Sequence, residues 1–115
     1  MATRTAANTD VDNGRLVVWS GLLNGDDGSP FSGYDWADAS VAFTGTFGTG
    51  GSITLQGSND GTNWFALTDP QGNAITKTAA GLEQISERTR FIRPIVTAGD
   101  GTTSLVATLW SGRSI

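Results

Sequence analysis

Cysteine and histidine are both absent from the 115 residues, lysine occurs once (Lys77) and glutamate twice (Glu83, Glu87). Without Cys there is no disulfide scaffold, thiolate metal site or Cys nucleophile. Without His, Ser-His-Asp hydrolases, histidine zinc sites and histidine acid–base chemistry are excluded. No apolar run approaches the roughly 18 residues of a membrane-spanning helix, and residues 1–14 lack the apolar region of a signal peptide. Basic residues are scarce too: 7 Lys and Arg against 11 Asp and Glu leave a net charge of −4. That balance argues against nucleic-acid or membrane partners, which attract basic surfaces. The remaining catalytic option is a carboxylate pair. Glu83 and Glu87 would lie about 13 Å apart along a strand, beyond the roughly 5–9.5 Å that glycoside hydrolysis uses. The sequence therefore reads as a non-enzyme without metal site or cofactor.

What is present favours β-structure. Gly (16), Thr (16) and Ser (10) dominate, whereas strong helix formers are few. Leu, Ile, Val and Phe number 25 and the aromatics ten, enough for one modest core in a single domain. Residues 1–14 are polar without periodicity and read as an arm that is ordered only when something binds it. Residues 15–115 read as the folded domain. Apolar or alternating runs at 15–23, 39–47, 52–57, 63–68, 74–78, 82–87, 88–97 and 103–110 are separated by Gly, Asn, Asp and Pro clusters. About eight short strands at such spacing predict an all-β, antiparallel sandwich. Asn59-Asp60-Gly61 signals a hairpin with Gly61 at positive φ, and Trp64 beside it is expected to anchor the core.

Several motifs have ordinary explanations. Asp10-Val11-Asp12-Asn13-Gly14 only superficially resembles a calcium loop, because its Gly is misplaced and no Glu closes it. Asp26, Asp27 and Asp100 fall in turns, where Asp caps its own backbone. Gly48-Thr49-Gly50-Gly51 lacks the Lys-Ser/Thr of a phosphate cradle and reads as a hairpin tip.

Two groups are candidate sites. Phe31, Tyr34 and Trp36 lie in an aperiodic loop with Asp35 and Asp38, where exposed rings could stack on a glycan; the alternative is that they cover one end of the core. Arg88, Arg90 and Arg93 fall within six residues. Arg90 and Arg93 have opposite parity on a strand, so one can pair internally with an Asp while the other reaches a partner. The lack of lysine matters as well. Solitary β-proteins guard their edge strands with charge, Lys above all, so plain edges point to a protein that lives in an assembly.

From Gly57-Ser58-Asn59-Asp60-Gly61-Thr62-Asn63-Trp64, through Leu67, Asp69 and Gly72, to Arg90-Phe91-Ile92-Arg93-Pro94 and Val96-Thr97-Ala98-Gly99-Asp100-Gly101, about half of the chain resembles a known family. These are the head-decoration (cement) proteins of tailed bacteriophages, in which an S-N-D-G-x-x-W hairpin and a later R-x-x-R-P strand recur. The resemblance implies a jelly-roll-like sandwich on the outer capsid surface of the virion, made in the host cytoplasm. It would stabilise the capsid by bridging neighbouring major capsid proteins, as a homo-oligomer (dimer or trimer), through strand edges, the N-terminal arm and the clustered arginines. A carbohydrate-binding module on a phage fibre, or a tail structural subunit, would share this fold.

Overall fold

Alternation between core-facing and outward side chains builds the long strands. The computed structural model describes residues 2–11, 14–32 and 38–112, and among them are twelve strands and no helix. In chain order these are β1 (Thr3–Arg4), β2 (Ala7–Val11), β3 (Gly14–Leu22), β4 (Asp27–Gly28), β5 (Phe31–Ser32) and β6 (Asp38–Thr46). They continue as β7 (Ser52–Ser58), β8 (Phe65–Ala66), β9 (Thr76–Lys77), β10 (Gly81–Gln84), β11 (Phe91–Ala98) and β12 (Ser104–Gly112). One sheet runs β1-β4-β11-β7-β8, with β5 also on β11 and β9 also on β7; the other runs β10-β6-β12-β3-β2. The pairings are antiparallel except β1 with β4. The eight expected runs hold one strand each, and the four extra are β1 and β2 in the segment read as an arm, β4 in the turn cluster after β3 and β5 in the aromatic loop.

The two sheets share one core. Ile53 and Leu55 of β7 and Ile92 and Val96 of β11 pack with Val17, Trp19 and Leu22 of β3. Val41 and Phe43 of β6 and Leu105, Ala107 and Leu109 of β12 complete the cluster. Trp19 is fully buried, and its indole N–H donates to the Ser29 carbonyl at 2.8 Å, so no polar atom is stranded. Leu22 breaks the parity of Val17 and Trp19. Trp19 faces Ala107 and Leu22 faces Leu105, so β3 holds one residue more than β12. Gly21, at φ +64°, absorbs the extra residue as a bulge and returns Leu22 to the core.

The expected free arm, residues 1–14, is not what its described residues 2–11 form. β1 pairs with β4 in the first sheet and β2 with β3 in the second, so this one segment lines an edge of both. Its hold is polar, which is why no apolar period announces it. The buried Asp26 carboxylate accepts from the Ala2 and Leu23 N–H groups and from Arg4 Nε, each at 2.9 Å. Thr3 Oγ1 donates to Asp27 Oδ1, and the Asp27 and Ser29 N–H groups donate to the carbonyls of Ala2 and Arg4. At the opposite edge, an ion pair between Lys77 of β9 and Glu83 of β10 ties the two sheets together.

Trp64 is also placed differently from expectation. It is half-buried outside the core cluster, with its ring 4.1 Å from the Arg93 guanidinium carbon. Among the described residues the buried tryptophan of the core is Trp19. The Asn59-Asp60-Gly61 turn does lead β7 back to β8, with Gly61 at φ +80°, although the loop is longer than a two-residue hairpin.

Candidate functional site

Antiparallel register determines which side chains share a surface. Across the outer face of the second sheet, one row reads Leu82, Ala42, Thr108, Val18, Ala7, and the next reads Gln84, Ser40, Trp110, Leu16, Thr9. Neither row contains a charge, although the chain carries 18 Asp, Glu, Lys and Arg residues. Leu82 is 65% exposed and Trp110 37% exposed. Trp110 lies flat on its sheet over two glycines, Gly112 two residues on in β12 and Gly14 on β3. Gly14 faces Gly112, and a Cβ on either would fall within 2.8 Å of the indole ring. Beside the ring is a shallow depression of about 260 Å³ lined by Asp38, Ala39, Ser40, Leu82, Gln84 and Trp110. Such a face has the makeup of a docking surface: apolar and hydroxyl-bearing, easily desolvated, with charge kept to its margin.

The arginine cluster is spread over β11 and the segment that leads into it. Arg93 projects from β11 onto the outer face of the first sheet. There its Nε donates to Gln56 Oε1 at 3.1 Å, Nη1 lies 3.3 Å from Asp27 Oδ2, and Trp64 stacks on the guanidinium. Two of its nitrogens and one face of the guanidinium are thus engaged within the chain. Arg90 precedes β11, is exposed and rests over the Phe91 ring at 4.7 Å, while its N–H donates to Asn59 Oδ1. Arg88 is exposed on the segment leading to it. Arg90 and Arg93 each rest on a ring of their own, Phe91 and Trp64.

The aromatic-loop candidate loses a member. Phe31 is 5% exposed and belongs to the core, so it cannot stack on a glycan. Tyr34 and Trp36 lie outside the described residues. The acidic residues are mostly occupied by local hydrogen bonds. Asp100, in the turn before β12, accepts from Thr49 and Thr102, and these donors hold its carboxyl well below the usual range. Glu83 pairs with Lys77, and Glu87 accepts from Thr68 N–H and Oγ1. The two glutamates thus serve separate structural bonds.

The neutral face went unread in the sequence, yet it left a signal. Leu105, Ala107 and Leu109 share one parity, which sends Val106, Thr108 and Trp110 to the other side. What parity could not provide was the lateral order of strands that places Trp110 beside Ser40 and Leu16. The chain matches no protein-family model, no curated protein and no solved structure.

Proposed function

We propose that this protein is a non-catalytic structural subunit that docks on the outside of a bacteriophage capsid and stabilises it by bridging neighbouring major capsid proteins. The observation that carries the reading is the pair of charge-free rows on the outer face of the second sheet, with Trp110 and Leu82 standing in them. A face of that kind on an acidic, lysine-poor chain is more stable covered than bare. The S-N-D-G-x-x-W and R-x-x-R-P resemblance supplies the phage address.

Within this reading the fold is a jelly roll. Counting β4 with β5 and β8 with β9 gives eight principal runs from β3 to β12. In that count the sheets read 6-3-8-1 and 2-7-4-5, so run 1 lies beside 8, and 2 beside 7. Runs 3 and 6, and 4 and 5, pair likewise, which is the nested order of a ribbon folded over twice. Self-association as a dimer or trimer on the capsid belongs to the same proposal.

The test is co-sedimentation with purified heads that lack the protein, comparing wild type with Trp110→Glu. Wild type should pellet with heads and Trp110→Glu should stay in the supernatant while retaining its melting temperature. Failure of wild type to bind mature heads overturns the capsid assignment.

A further inference from the structure

The loop between β7 and β8 encloses a second concavity that shares no lining residue with the neutral face. It is a groove of about 500 Å³ bordered by Asn59, Asp60, Asn63, Phe65, Leu67 and Glu87. Phe65 is 70% exposed, the most exposed of the large apolar side chains described. A Phe ring on so short a strand contributes little to the core, since it pairs with Gly57 at the sheet margin and stands over the groove. Around it the polar groups are already fixed. Asp60 Oδ1 accepts from the Thr62 and Asn63 N–H groups at 2.8 Å and from Ser58 Oγ at 3.0 Å, and Oδ2 accepts from Asn63 Nδ2 at 2.7 Å. These donors hold the Asp60 carboxyl far below the usual range, so it remains ionised. Asn63 keeps its amide oxygen and Asn59 its amide NH₂ group for a ligand.

From this geometry we propose that the groove is a binding site for a neutral glycan, with one sugar ring stacked on Phe65 and its hydroxyls held by Asn63, Asn59 and the rim carboxylates. Three features select that class. An exposed aromatic ring offers a flat apolar platform, the complement of the C–H face of a pyranose. Planar amides and carboxylates at the rim match vicinal hydroxyls, and they need no reorganisation because the loop already holds them. No lysine or arginine lines the groove, while Asp60 and Glu87 do, so sialylated or sulfated sugars meet repulsion. A lone basic side chain would satisfy the charge but leave most of the groove unfilled.

The experiment is an array of neutral and sialylated glycans probed with the intact protein. The best neutral binder is then titrated into ¹⁵N-labelled protein. Saturable amide shifts at Gly61, Phe65 and Thr89 are expected, with affinity reduced at least roughly tenfold by Phe65→Ala and kept by Phe65→Trp. Phe65 is exposed enough that both variants should melt with wild type, which is checked directly. The proposal is overturned if no neutral glycan gives saturable shifts, or if Phe65→Ala binds as well as wild type. Binding of an oligolysine peptide to the same amides without any sugar binding would overturn it as well, and would give the groove to a basic protein segment. Head co-sedimentation of Phe65→Ala stays at the wild-type level, so the two proposals fail separately.

Discussion

The two outer faces of this molecule use the same period-two alternation for different ends. On the first sheet the outward side chains fasten one another: Arg93 is held by Gln56, Asp27 and Trp64, and Asp27 in turn accepts from Thr3. On the second sheet the two rows from Leu82 to Ala7 and from Gln84 to Thr9 carry no charge and leave Trp110 and Leu82 open. A face whose polar groups are consumed internally has little to offer a partner. A face whose two rows hold apolar side chains, hydroxyls and the single amide of Gln84 can be covered at small cost. The difference teaches that side chains clustered in sequence are distributed by the contacts each finds, whereas a continuous uncharged patch is assembled by the register of neighbouring strands.

Variants can break this comparison in order of expected effect. The largest concerns the interior that both faces enclose. Trp19→Ala should lower stability by about 3–5 kcal/mol in urea unfolding, because it removes a fully buried ring and leaves the Ser29 carbonyl without its donor. Trp64→Ala, by contrast, should cost about 1–2 kcal/mol, the scale of a half-buried ring stacked on a cation. Equal losses would return Trp64 to the core.

Acid should come next, acting through the N-terminal strand. Burial alone would raise the Asp26 carboxyl, but the N–H groups of Leu23 and Ala2 and the Arg4 guanidinium outweigh it and bring the group below its ordinary value of 3.8. A carboxyl depressed in the folded state adds stability above that ordinary value, and the contribution fades as pH falls through the lower, folded one. Stability should therefore drop on acidification below 3.8 more steeply in wild type than in Asp26→Asn. Amide exchange at Leu23 should accelerate in the same window. Parallel pH profiles would show that this clasp does not hold β1.

Smaller effects separate the faces directly. Arg93→Ala should cost about 1–2 kcal/mol of stability by leaving Asp27 short of its cation, yet leave head binding intact. Trp110→Glu should do the reverse. If both variants lose stability and neither loses binding, the docking face has been assigned to the wrong sheet. The smallest expected difference is at Gly61. Gly61→Val should melt below Gly61→Asn by about 1 kcal/mol of stability, since a β-branched residue tolerates positive φ worst. Identical melting would contradict the φ of that turn.

By itself the sequence determined the fold class, because alternation, turn chemistry and the shortage of helix formers act over neighbouring residues and need no partner strand. Gly61 at positive φ was legible for the same reason: the Asp-Gly pair states its own geometry. Only tertiary structure decided what depends on residues distant in the chain. Residues 1–14 look too polar to order, yet Asp26, more than twenty positions away, supplies the hydrogen bonds that hold Ala2 and Arg4. Trp19 and Trp64 look alike in sequence, and strand order alone makes one the core and the other a lid on Arg93. Phe31 falls in an aperiodic stretch, but pairing with β11 turns it inward. The neutral face exists only once four lateral pairings align β10, β6, β12, β3 and β2, and no local pattern encodes lateral order.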